Sequence, residues 1–160
     1  MSKLHIRAIE TTDVQAIARL AEQGFKDLYR FDWQANAQAL LKASQEGRAV
    51  AAVAEIEGDV VAYCNLRAWP AGGWIDQIVV DEKLRGRGIG RALLDYIVKK
   101  AKEKDFWKIS LIVSASDTGA IAFYEKYGFD TIGRMKDEIK KGQDGILLSY
   151  IVSCDLHPNR

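Results

Sequence analysis

The stretch from Trp74 to Arg91, W-I-D-Q-I-V-V-D-E-K-L-R-G-R-G-I-G-R, constrains this chain more than any other. It passes from an apolar run through a short charged turn into a glycine-rich opening, and a helical pattern follows. Ile75 and Ile78–Val80 are β-branched, the residue type that suits a buried strand. Ile89, Leu93, Leu94, Ile97, Val98 and Ala101 recur at three- and four-residue steps, which marks an amphipathic helix. Arg85, Gly86, Arg87, Gly88, Ile89, Gly90 and Arg91 therefore stand where that helix begins. A helix start has N–H groups without backbone acceptors and the positive end of the dipole, so it favours anions. Glycine lets the backbone approach such an anion with no Cβ in the way. A turn of this composition is suited to holding a phosphate.

Several readings compete for the turn. A Walker A loop needs Gly-Lys-Ser/Thr, which does not occur here. A dinucleotide fingerprint needs Gly-x-Gly-x-x-Gly; Gly86 and Gly88 fit, but Arg91 occupies the third glycine position. An ordinary turn with no ligand is a further reading. The remaining pattern, Gln/Arg-x-x-Gly-x-Gly/Ala after a strand, is met by Arg85, Gly88 and Gly90. It resembles the coenzyme A pyrophosphate loop of the GNAT superfamily of acyl-CoA N-acyltransferases.

A second block points the same way. Lys108–Val113 reads as a strand, and S-A-S-D-T-G-A-I-A-F-Y-E-K-Y-G-F follows from Ser114. Ser114, Ser116 and Asp117 offer N-caps, and Ser114-x-x-Asp117 has the form of a capping box. A short helix then runs to about Tyr127, with Gly128 as its stop. Asp117, Ala120 and Tyr124 are spaced to share one helical face. Ala120, Tyr124, Gly128 and Phe129 match the second coenzyme A motif of the same superfamily, Asn-x-x-Ala-x-x-x-Tyr-x-x-x-Gly-Phe. Asp117 stands where the motif has Asn. An ionised carboxylate only accepts hydrogen bonds, so Asp117 either takes an N–H from the pantetheine arm or merely caps the helix.

The 160 residues and 48% hydrophobic composition predict one domain, 1–160, with its own core. A net charge of +1 gives no reason to expect a nucleic-acid partner. The opening residues have no apolar h-region and no run approaches a membrane span, so a cytoplasmic protein with no membrane partner is expected. Cys64 and Cys154 are predicted to be buried thiols. The lysines at 99, 100, 102, 104 and 108 cluster at a helix C-terminus, where cations complement the dipole, and read as a solvated helix end.

In chain order, Leu4–Ile9 predicts a strand, and Val14 to about Leu28 and Gln34–Gln45 predict helices. Arg48–Glu57 and Val60–Arg67 form a hairpin about Gly58-Asp59, and Trp69–Gly73 a loop. The organising strand spans 75–80, its helix 88–104 and the next strand 108–113. Thr131–Met135 and Ile146–Val152 are strands around a polar segment, Lys136–Gly145. The order β-α-α-β-β-β-α-β-α-β-β predicts an α/β fold, a twisted mixed sheet with helices on both faces. That order is also similar to the GNAT fold. The resemblance implies that strands 75–80 and 108–113 splay apart and admit pantetheine. Ile78, Val79 and Val80 then offer it backbone hydrogen bonds in the manner of an added strand.

The resemblance implies acetyl-CoA as co-substrate, no metal, and direct transfer to a primary amine of a small molecule or of a peptide or protein. Arg85–Arg91 would hold the pyrophosphate, and Asp117, Ala120 and Tyr124 would flank pantetheine and sulfur. Tyr124 matches the family's acid. Since a phenol of pKa ~10 is a weaker acid than a thiol near ~8.5, it serves better as a hydrogen-bond donor to the departing sulfur. The N–H of Ile78 would meet the oxyanion. Asp76, Glu55 or a water relay would take the amine's proton. Phe25, Tyr29, Phe31 and Trp33, with Asp27 and Asp32, fall at the junction of the first helices, which lines the acceptor mouth in this superfamily. Exposed strands near the C-terminus could pair between chains to give a homodimer. The rival reading is a non-catalytic acyl-CoA-binding module on the same fold.

Overall fold

A computed structural model of the chain describes residues 3–153 as a mixed α/β fold. In chain order its elements are β1 (Leu4–Ala8), α1 (Val14–Phe25), α2 (Trp33–Gln45), β2 (Ala49–Ile56), β3 (Asp59–Trp69), β4 (Gly72–Trp74) and β5 (Ile78–Val80). They continue with α3 (Ile89–Glu103), β6 (Lys108–Ser114), α4 (Thr118–Tyr127), β7 (Asp130–Lys140) and β8 (Gln143–Ile151). The chain divides into two compact units. One holds the residues up to Ala68 together with Ile75–Ile97, and the other Trp69–Trp74 together with the residues from Val98 on.

In the first unit β1, β2, β3 and β5 pair antiparallel in that order. The β2–β3 hairpin turns on Glu57 and Gly58, both at positive φ (55° and 87°), the two-residue geometry whose twist matches the strands. Val14, Ile17, Leu20 and Ala21 of α1 and Ala37 and Leu40 of α2 are buried with Ala51, Val53, Tyr63 and Val79. These strand residues share one face by register. Ala52, Ala54, Ala62 and Cys64, which alternate with them, are buried as well. A strand closed off on both faces reads as a continuous apolar run, which is what A-V-A-A-V-A in β2 is. Burial pushes the Cys64 thiol up to about 12, as expected for a structural cysteine. Cys154 lies outside the described residues.

In the second unit β4 pairs parallel with β6, and β6, β8 and β7 follow antiparallel. Gly72 sits at φ +129°, and a Cβ there would lie 2.3 Å from the Lys108 carbonyl oxygen, so the close pairing of β4 with β6 requires glycine. The sheet's register puts Ile109, Leu111, Leu148 and Tyr150 on one face. There the Tyr150 ring meets Tyr127 at 5.5 Å and Phe129 at 5.4 Å, so α4 and the residues after it cover that face. Lys108, Ser110, Ser149 and Ile151 lie on the other face, where the two serine hydroxyls hydrogen-bond at 2.7 Å.

Three expectations need correction. The predicted strand 75–80 is interrupted: 72–74 pair with β6, 78–80 pair with β3, and Ile75–Gln77 form no ladder. The segment read as a loop from Trp69 is the end of β3, a turn at Pro70-Ala71 and β4. The strands expected to end at Met135 and begin at Ile146 instead run on through the polar segment Lys136–Gly145, as β7 and β8, to pair Lys140 with Gln143. That hairpin end is largely exposed, so it lacks the apolar alternation by which strands are read. No helix among the described residues is long and apolar enough to cross a membrane.

Candidate active site

The predicted site residues fall into two sets, one in each unit. In the first, Tyr63 pairs with Val79, the Asn65 N–H donates to the Gln77 carbonyl (3.0 Å), and the Asp81 N–H donates to the Val61 carbonyl (2.9 Å). Alternation in an antiparallel pair then points the amides of Ile78 and Val80 away from β3, along the opposite edge of β5. The Val80 carbonyl accepts from Arg85 Nε at 3.3 Å, which ties the loop back to the strand. Asp81 caps the turn at Glu82–Leu84 by accepting from the Lys83 N–H (3.0 Å). This bond, together with Arg19 and against slight burial, holds its carboxyl below the usual range.

Gly86 and Gly88 adopt φ +76° and +81°, and an added Cβ would meet nothing within 4 Å at either. The loop is thus glycine-bound by conformation, and the space over it is open. Helix α3 closes its first backbone bond from the Ala92 N–H to the Gly88 carbonyl. The N–H groups of Ile89 and Gly90 precede that bond and have no acceptor in the helix ladder. Lys83, Arg85 and Arg87 are exposed around them. Donors at a helix start, open space and three cations suit a diphosphate.

The break at Ile75–Gln77 is braced by a polar chain that sequence reasoning missed. Buried Asn65 accepts from the Gln77 N–H (2.8 Å) and donates to Asp76 (3.1 Å), so its side-chain amide stands in for a strand partner. The Gln77 side chain accepts from the Tyr63 hydroxyl (3.1 Å) and donates to Asn36 of α2 (3.3 Å). The only hint in the sequence is an asparagine inside the apolar run V-V-A-Y-C-N-L. Arg67 Nε reaches both Asp76 oxygens, at 3.0 and 2.9 Å. Glu55, the other carboxylate considered as a base, accepts from Arg7 Nε at 3.0 Å and lies 3.6 Å from His5. Between α1 and α2 the rings of Phe25, Tyr29, Phe31 and Trp33 stand 5.5–6.3 Å apart, with Phe31 the exposed member. Asp32 caps α2 through the Ala35 N–H (2.9 Å).

In the second unit Asp117 is the N-cap of α4, its Oδ1 accepting from the Ala120 N–H at 3.0 Å. The capping box expected from Ser114 does not form. The Ser114 hydroxyl bonds Ser116 (2.9 Å), and the Ser114 carbonyl accepts from the Asp117 N–H. Ala120 and Tyr124 follow on α4. Tyr124 is buried, its ring edge-on to Phe123 at 5.1 Å and to Phe129 at 5.4 Å. Gly128, at φ +123°, ends the helix and leaves its Tyr124 and Glu125 carbonyls bonded.

The sequence model of the acetyltransferase (GNAT) family matches residues 14–129. An N-alpha-acetyltransferase of Sulfurisphaera tokodaii is 29% identical over 157 residues, covering 90% of this chain and 90% of that protein. The ribosomal protein bS18-alanine N-acetyltransferase of Escherichia coli is 26% identical over 151 residues, 92% of this chain and 97% of that one. Among solved structures, Ard1 from Thermoplasma volcanium shares the fold with a TM-score of 0.82 at 24% identity, over 94% of this chain and 98% of that chain. The chain belongs to the acetyltransferase (GNAT) family and is an acetyl-CoA-dependent N-acetyltransferase that acetylates amines.

Proposed function

We propose that the chain transfers the acetyl group of acetyl-CoA directly to the α-amine at the N-terminus of a peptide or protein, and that its two units serve one N-acetyltransferase domain. The similarity to an N-alpha-acetyltransferase over 90% of the chain carries this reading. A physical argument supports it. With water taking the amine's proton, an acceptor that is already partly neutral suits the reaction. An α-amine of pKa ~8 is about one-tenth neutral at pH 7, against roughly one part in a few thousand for a lysine amine of pKa ~10.4.

In the reaction the amine nitrogen bonds to the thioester carbonyl carbon, the carbon–sulfur bond breaks, and the amine's proton leaves through water. Arg85, Arg87 and the backbone from Gly86 to Arg91 hold the diphosphate. The outward edge of Ile78–Val80 bonds the pantetheine amides, and the Ile78 N–H faces the oxyanion. Fixed donors of this kind commonly contribute 10²–10³-fold in rate. Tyr124 donates a hydrogen bond to the leaving sulfur, with Ala120 leaving room beside it. Asp117 holds the start of α4.

A thiol-release assay comparing peptides with a free α-amine, the same peptides N-blocked but carrying lysine, and small polyamines tests this. The free-amine peptides should be preferred, with kcat/KM rising toward pH 8 and mass spectrometry placing the acetyl on the first residue. Faster turnover of polyamines or of the blocked peptides would overturn the α-amine assignment.

A further inference from the structure

The face of the second unit's sheet turned away from Tyr127 and Phe129 carries a shallow, largely apolar groove among the described residues. Trp69, Trp74, Leu147, Ile132 and Ile151 line a shallow groove over the Ser110–Ser149 pair, with Lys108 and Asp130 at its sides. A second groove shares Trp69 and adds Pro70, Phe106 and Trp107. Five large hydrophobic side chains are exposed among the described residues, and four of them are here: Trp69 (47%), Trp107 (45%), Ile132 (59%) and Ile151 (45%). Taking about 200 Å² for a whole large side chain, their exposed fractions amount to roughly 400 Å² of apolar surface. That matches the largest patch an ordinary monomer shows, and is about half of what one partner contributes to a standard protein interface. The partly exposed groove lining and its polar rim extend the area. Tryptophan is also the residue type most enriched at energetic centres of interfaces.

We propose that this face is a self-association surface, occupied by a second copy of the chain. The charges at its sides select that occupant. Lys108 lies on β6 opposite Ile151, and Asp130 lies on β7 opposite Ser149, so β8 runs between them with the opposite charges to either side. Neither makes an ion pair within the described residues; Lys108 rests 4.9 Å from the Trp107 ring. A two-fold interface requires a self-complementary patch. With the axis along β8, the Lys108 side of each copy faces the side that bears the partner subunit's Asp130, and the apolar residues of β8, Leu147 and Ile151, lie at the centre of the contact. Opposite charges on either side of a central strand make the patch complementary to itself.

Sedimentation equilibrium of the full chain, over roughly a hundredfold range of loading concentration, tests the proposal, since a monomer–dimer equilibrium depends on concentration. The parent should dimerise. Lys108→Glu and Asp130→Lys should each weaken the dimer by about tenfold or more, because each sets like charges face to face twice. An equimolar mixture of the two variants restores both pairs and should associate as the parent does, as should the doubly exchanged K108E/D130K chain. Misfolding of a variant cannot produce that rescue. A parent that stays monomeric throughout overturns the proposal, and so does a dimer indifferent to the charge changes and to Ile151→Ser. None of these outcomes bears on acetyl transfer, so failure here and failure of the α-amine reading are distinguishable.

Discussion

Tyr124 carries a definite prediction. Its ring is fixed edge-on by Phe123 and Phe129, and Tyr124→Phe removes the hydroxyl while leaving that packing in place. Turnover by thiol release should fall by about 10²-fold, the scale of one lost donor at a developing charge, with KM for acetyl-CoA nearly unchanged. Turnover equal to the parent's would remove the hydroxyl from the chemistry. The place of Tyr124 on α4 was legible in the sequence because it stands in a spaced motif, with Ala120 four residues before it and Gly128 four after. So were Gly86 and Gly88, since positive φ is written in the residue type itself. Asn65 was not. Its role depends on which backbone N–H the fold brings to its side chain, and that N–H belongs to Gln77, across a strand pair. The partners of Asp76 and Glu55 were hidden for the same reason: Arg67 and Arg7 lie on neighbouring strands, and nothing local in the sequence announces a cross-strand pair.

Elements were read well where one physical signal dominated. The 3.6-residue period of α3 and the buried run of β2 both emerged close to their observed bounds. The strand from 75 was read as whole because Ile75 and Ile78–Val80 look continuous, whereas pairing changes partners at Ile75–Gln77. Helix α4 had three candidate caps in the sequence, Ser114, Ser116 and Asp117, and the last of them caps it. The cap also decides how Asp117 substitutions act. Asp117→Asn keeps a side-chain oxygen for the Ala120 N–H and should leave stability within a few tenths of a kcal/mol, while Asp117→Ala should cost about 1 kcal/mol. If capping is the whole role, thermal denaturation will separate the two variants, and both will keep the parent's KM for acetyl-CoA. A higher KM in the stably capped Asp117→Asn would instead give the carboxylate a direct part in coenzyme binding.

Across the molecule, stability toward acid should be set in large part by one buried carboxylate. Asp13 is almost wholly inaccessible, accepts from Arg7 at 2.8 and 2.9 Å, and takes the Glu10 N–H at 2.7 Å. Burial alone would push its carboxyl up, but the hydrogen bonds from Arg7 and the Glu10 N–H outweigh that and hold it below the ordinary range. Arg7, raised in turn by Asp13, also grips Glu55, so the edge of β1 and β2 and the entry to α1 share this network. A carboxyl depressed in the folded state stabilises the fold above its unfolded pKa, because the unfolded chain binds the extra proton. That contribution persists through neutral pH and disappears as pH falls through the lowered folded value. Asp13→Asn should therefore lose about 2 kcal/mol at pH 7, the scale of hydrogen bonds to a charged group. The deficit should shrink as the parent is titrated from pH 5 toward its acid transition, flattening the variant's acid limb. Urea denaturation at a series of pH values reads this directly. A deficit that stayed constant with pH would mean that Asp13 supports the fold by shape alone, with its charge contributing nothing.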